Sequence, residues 1–182
     1  MPEPLTTPRL LLEPWTEAHT VLLAGLSAHP EVIRFVGAGQ IWDRERANEV
    51  AQRQRAHWER HGFGWRAAVD RETGGAVGFI ALNLAGTEAP ELDPGDYEIG
   101  WWLCPEAWGR GLAREGGLAV RDDAFERIGV PSVVARIHAD NKPSLAVASA
   151  LGLTFESQTT GAAGQPVTIH RLNADAWKAL PA

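Results

Sequence analysis

Apolar residues recur along this chain with two periods, and the switches between them outline the secondary structure. Thr7 to Trp15 reads as a first strand around Leu10, Leu11 and Leu12. Thr16 is a suitable N-cap for a helix over Glu17–Ser27, where Val21, Leu22 and Leu26 fall at helical spacing. His29-Pro30 breaks that helix, and Glu31–Val36 predicts a short further turn ended by Gly37 and Gly39. Asp43 opens a stronger helix. Ala47, Val50, Ala51, Gln54 and Trp58 form its stripe, and Gly62 closes it. Gly64–Asp70 and Ala76–Ala85 read as strands, with Thr73-Gly74-Gly75 as the hairpin between them. A Pro- and acid-rich loop fills Gly86–Gly95.

The Tyr, Ile and Trp content of Asp96–Leu103 predicts a central strand. Beyond it, Ala113, Gly117, Val120, Ala124 and Ile128 repeat at helical spacing until Gly129. Ser132–His138 is a strand whose Val-Val centre points to burial. Asn141–Leu151 is a helix with Pro143 in its first turn and Gly152 after it. Leu153–Thr160 and Val167–Asn173 close the chain as two strands. This order predicts an α/β (α+β) fold: one domain over residues 1–182, with a mixed sheet flanked by helices.

Composition narrows the function. The formal net charge is -6, so no basic surface for nucleic acid is visible. The single cysteine, Cys104, cannot form an internal disulfide, and no Cys/His spacing suits a metal. The first residues lack the basic-then-apolar pattern of a signal peptide, and no apolar run is long enough to span a bilayer. A cytoplasmic protein with no membrane, metal or nucleic-acid partner is the expectation.

Between the central strand and the helix after it lies Trp108-Gly109-Arg110-Gly111-Leu112-Ala113-Arg114. A helix start carries unpaired N–H groups and a partial positive charge. Glycines there let the backbone approach an anion, and Arg110 and Arg114 offer charge-assisted bonds. A glycine-eased turn without a ligand fits the same pattern. A P-loop would need Gly-Lys-Ser/Thr, and a dinucleotide fingerprint a small residue in place of Arg114; neither fits.

The wider text resembles the GNAT superfamily of N-acetyltransferases. Trp108–Ala113 looks like the Gln/Arg-x-x-Gly-x-Gly/Ala signature, with Trp108 in the first position. The run Glu98-Ile99-Gly100-Trp101-Trp102-Leu103-Cys104-Pro105 leading into Trp108–Ala113 resembles the Rim-type branch, which acetylates N-termini of ribosomal proteins. Thr7–Leu12 looks like the opening strand of that branch. Asn141-Lys142-Pro143-Ser144 followed by Leu151-Gly152-Leu153 looks like its Asn-x-x-Ser…Leu-Gly-Phe block. The resemblance spans residues 7–173.

It implies a twisted sheet whose parallel central strands, Tyr97–Leu103 and Ser132–His138, splay apart to admit acetyl-CoA. The implied reaction is direct attack of an amine on the thioester, without an acyl-enzyme. Trp101, Trp102 and Leu103 would contact the pantetheine and thioester through their backbone. Trp108, Gly109, Arg110, Gly111, Leu112, Ala113 and Arg114 would hold the pyrophosphate, and Asn141 and Ser144 would also touch the cofactor. Glu98 is the candidate base, with pairing to a cation as its structural alternative. Ser144 is the candidate acid, because the Tyr that many members carry is Ala148 here; a local backbone hydrogen bond is its alternative. An N-cap role also suits Asn141. The eight tryptophans suggest core packing, with Trp42, Trp65, Trp101 and Trp102 as candidate walls of an acceptor pocket. The loop Glu88–Asp96 and the helices between residues 16 and 62 would shape that pocket. Cys104 reads as a small, partly buried residue rather than a nucleophile. The acceptor is an amine on a small molecule or a protein N-terminus, and a homodimer is the assembly common in this branch. The competing class is a GNAT-like module that binds acyl-CoA as a sensor without turnover.

Overall fold

A computed structural model describes residues 3–86 and 89–181. Its centre is one sheet of eight strands in the order β1-β2-β3-β4-β5-β6-β8-β7. The strands are β1 (Leu5–Thr6), β2 (Leu10–Pro14), β3 (Arg66–Asp70), β4 (Ala76–Leu84), β5 (Tyr97–Leu103), β6 (Ser132–His138), β7 (Thr154–Thr160) and β8 (Pro166–Asn173). All neighbours are antiparallel except β5 and β6. The helices are α1 (Thr20–Ser27), α2 (Pro30–Ile33), α3 (Arg44–His61), α4 (Leu112–Asp123), α5 (Lys142–Ala150) and α6 (Ala174–Lys178). The mixed α/β architecture predicted from the sequence is therefore present.

The boundaries differ where side chains or turns intervene. The opening strand begins at Leu10, because the Thr7 hydroxyl and backbone close a tight turn onto Leu10 and send β1 back along β2. Glu17–His19 is a 3-10 turn, so α1 starts only at Thr20. Asp43 caps α3 by accepting from the Arg46 N–H at 2.8 Å, and Gly62 ends it with φ 71°. The five residues after α4, Ala124–Ile128, widen into a π turn before Gly129. The helix α6 is only five residues long, too short to show a periodic signal in the sequence.

The two faces of the sheet are packed differently. On one face α4 and α5 cover a continuous core that includes Leu10, Leu12, Ile80, Leu82, Ile99 and Val133. Full burial of one such side chain contributes ~1.5–3 kcal/mol. Helix α4 lies close to the sheet because Gly116 has no side chain: a Cβ there would sit 2.8 Å from Ile80 Cγ1. Gly117 makes the same approach to Leu151, at 2.9 Å. On the opposite face the apolar packing is split in two. One cluster joins Trp15, Leu23, Val50, Trp58, Trp65 and Phe79 under α1 and α3. The other joins Ala85, Ala89 and Leu92 of the β4–β5 connection to Val134, Val167 and Ile169. Thr87 and Glu88 of that connection lie outside the described residues.

Candidate active site at the splayed strands

Strands β4 and β5 share seven residue pairs, from Gly78↔Leu103 to Leu84↔Tyr97. Strands β5 and β6 share only Glu98↔Val134. Beyond that pair the edge of β5 that faces β6, from Ile99 to Leu103, has no strand partner among the described residues, and the sheet opens at its centre. The gap leads to the glycine turn at the start of α4.

In that turn Gly109 and Gly111 have φ of 70° and 75°. This left-handed region costs a residue with a Cβ free energy, which explains both glycines. The N–H groups of residues 110–114 find no acceptor among the described residues. Gly111 at the N-cap has no side chain to satisfy them, so the donors remain open to an anion. Four contacts brace the turn. The Trp108 indole N–H donates to the Leu103 carbonyl at 2.8 Å, tying the turn back to β5. Arg9 donates to Glu115 at 2.6 Å and to the Arg110 carbonyl at 2.7 Å. The Arg110 guanidinium donates to Asp70 at 2.8 Å and holds that carboxyl below the usual carboxylate range. The Arg110 side chain was expected to face a phosphate, but its anion in this structure is Asp70. Arg114 is exposed and forms no ion pair among the described residues. Arg9, Asp70 and Glu115 were not singled out in the sequence, because their roles depend on contacts between residues 40 to 106 positions apart.

Ser144 lies in the first turn of α5, on the α4 side of the sheet. Its hydroxyl accepts from the Trp101 indole N–H at 3.2 Å, and its backbone N–H donates to Asn141 Oδ1 at 3.2 Å. Asn141 is thus the N-cap of α5, with its amide NH2 free of that task. Ala148, where many relatives of the resembled family carry Tyr, is fully buried in the core.

Glu98 stands on the opposite face from Trp101, because neighbouring side chains alternate along β5. The structure therefore puts the candidate base and the candidate acid on the two sides of the gap. Glu98 is paired: Arg136 donates to its Oε1 at 2.8 Å and to its Oε2 at 3.3 Å. The third Arg136 nitrogen donates to Glu91 at 2.6 Å, and Glu91 accepts from the Ala162 N–H. Asp96, two residues before Glu98, is paired with Arg171 at 2.6 Å, and that bond holds its carboxyl below the ordinary range.

The four candidate wall tryptophans separate. Trp42 and Trp102 meet edge to face at 5.4 Å on the Glu98 side. Trp65 is buried and stacks on Phe79 at 4.1 Å, which makes it core. Trp101 belongs to the other face. Cys104 is half-buried beside Glu106; burial, then Glu106, pushes its thiol up, which disfavours the thiolate a nucleophile would need. An open groove of about 430 Å³ runs along α1 to Trp42, Asp43 and Asn48. Among the described residues no cluster of His, Cys, Asp and Glu has the composition of a metal site, and no helix is long and apolar enough to cross a membrane.

The chain is similar to known proteins in sequence and in fold. The chain is 30% identical over 153 residues to the FsC-acetyl coenzyme A-N(2)-transacetylase of Aspergillus fumigatus, covering 82% of this chain and 64% of that protein. The chain thus spans a little under two thirds of that relative's length. An acetyltransferase from Agrobacterium tumefaciens superposes with a TM-score of 0.80 at 29% identity, over 95% of each chain. RimL, a ribosomal L7/L12 alpha-N-protein acetyltransferase solved with coenzyme A, shares the fold with a TM-score of 0.77 at 19% identity, over 96% of this chain and 99% of RimL. The family described as "Acetyltransferase (GNAT) domain" matches residues 9–154, and the chain belongs to that family.

Proposed function

We propose that this protein is an acetyl-CoA-dependent N-acetyltransferase acting on a primary amine. The observation that carries the reading is the conjunction at the sheet centre: a glycine turn of unpaired N–H groups opens next to the place where β5 and β6 share one residue pair. The N–H groups of residues 109–114 hold the pyrophosphate, with Arg114 supplying charge. The pantetheine runs along the free edge of β5 beside Trp101, Trp102 and Leu103, with Asn141 alongside. A β5 N–H polarises the thioester carbonyl.

The amine attacks from the Glu98 face. Its nitrogen bonds to the carbonyl carbon, the C–S bond breaks, and the thiolate leaves on the Ser144 side. Glu98, oriented by Arg136, takes up the proton lost by the amine. Ser144, oriented by Trp101, donates a proton to the thiolate. The acceptor is a small-molecule amine or a protein N-terminus. Ala148 in place of Tyr favours one second reading, an acyl-CoA-binding module without turnover.

Thiol release from acetyl-CoA separates the two. The assay uses phenethylamine, spermidine and a tripeptide with a free N-terminus, and mass spectrometry identifies the products. An N-acetyl product from any of these supports transfer; tight coenzyme A binding with no product from any amine supports the module. Glu98→Gln lowers kcat by about 100-fold and moves the acidic limb of the pH profile. A variant with an unchanged profile would remove Glu98 from the chemistry.

A further inference from the structure

A buried polar atom without a partner is rare and asks for an explanation. Asn83 Oδ1 is such an atom. Asn83 lies on β4 directly across from Glu98. Its neighbours Leu82 and Leu84 belong to the core on the α4 side, so the Asn83 side chain stands on the opposite face, after Phe79 and Ala81. That is where the cluster around Phe79 ends and before the cluster around Val134 begins.

The gap has a floor. The diagonal neighbour of Asn83 on β5 is Gly100, which is partly exposed although it lies in a central strand. A Cβ at Gly100 would meet nothing nearer than the Ala81 Cβ at 3.9 Å. Beyond Gly100 stands Trp102, with Trp42 against it. On the Glu98 side the guanidinium of Arg136 is divided between Glu98 and Glu91. Glu98 cannot satisfy Asn83 Oδ1, because both are acceptors. The His57 ring accepts the N–H of Leu84, the residue next to Asn83. Asn83 Oδ1 is therefore an acceptor without a donor among the described residues.

Given acetyl transfer as proposed, the missing group is an N–H donor, which a primary amine supplies while keeping a second N–H. We infer that Asn83 determines acceptor specificity: its Oδ1 accepts an N–H of the acceptor's primary amine over Gly100, while the apolar arm of the acceptor lies against Trp102 and Trp42. The terminal torsion of Asn is soft, so a small rotation turns Oδ1 into the gap. A bond from Asn83 leaves the remaining proton of the amine facing Glu98.

The test is calorimetric titration of the coenzyme A complex with phenethylamine and with N,N-dimethylphenethylamine, which has at most one N–H. Wild type binds phenethylamine about tenfold more tightly than the dimethyl analogue. Asn83→Leu loses about fivefold on phenethylamine, discriminates between the two amines no longer, and melts no lower than wild type because the orphaned acceptor is gone. Asn83→Asp keeps an acceptor oxygen and retains the preference for the primary amine. Unchanged affinity and discrimination in Asn83→Leu overturns the assignment, as does a wild type that binds coenzyme A but neither amine. A wild type that fails to bind coenzyme A overturns the acetyltransferase reading itself.

Discussion

The two faces of the sheet are made from alternate residues of the same strands, yet they are held by different forces. The α4 face is one continuous apolar core, with glycines where the helix must approach the sheet. The opposite face has two apolar islands, and the space between them holds Glu98, Asn83, Arg136 and Gly100. Ion pairs replace packing there: Arg136 to Glu98 and Glu91, and Arg171 to Asp96 and Glu156. The contrast teaches where a reaction can be placed. A continuous core leaves no room for a substrate, whereas an interrupted one offers space and polar groups at the cost of stability that charged contacts partly restore.

The contrast breaks most visibly under Leu112→Ala. Leu112 is fully buried at the first turn of α4, so its truncation costs about 3 kcal/mol of stability. Urea denaturation checks this, and the loosened helix start also weakens coenzyme A binding. Gly100→Val should do the reverse. Its Cβ has room over Ala81 and valine favours strands, so stability changes by less than about 0.5 kcal/mol. The filled floor lowers kcat/KM for the amine about 100-fold while coenzyme A affinity holds. Equal losses in both parameters would show that Gly100 serves the backbone and not the acceptor.

The smallest effect tests the charged contacts. Arg171 depresses the Asp96 carboxyl in the folded state, so the stability it contributes is present above the unfolded value of about 4 and fades as pH falls through the lowered folded value. Asp96→Asn is therefore about 1.5 kcal/mol less stable than wild type at pH 7, and the two converge in acid. A difference that persists below about pH 2 would assign the loss to packing instead.

Much of the donor side was legible in the sequence. Gly109 and Gly111 mark a left-handed turn before a helix, and such a local signal does not depend on distant contacts. The helix stripe after it read correctly through Val120 and Ala124, although Gly117 proved to be a point of close approach to Leu151. The acceptor side was less legible. Period-two alternation places Asp96, Glu98, Gly100 and Trp102 on one face, but nothing local tells that Arg136, 38 residues on, claims Glu98. Trp65 and Trp102 look alike as sequence; one is buried and the other half-buried, because the cover over each differs. As sequence, Asn83 is one polar residue in a strand.

What the sequence determined by itself was what short-range physics controls: the strand and helix periods, the caps at Asp43 and Gly62, and the glycine turn with its unpaired N–H groups. What only the tertiary structure decided was partnership. The single pair between β5 and β6, the capture of Arg110 by Asp70 and the orphaned oxygen of Asn83 all arise from the register of strands far apart in the chain. Register is set by the whole sheet together, and a shift of one residue would exchange the two faces.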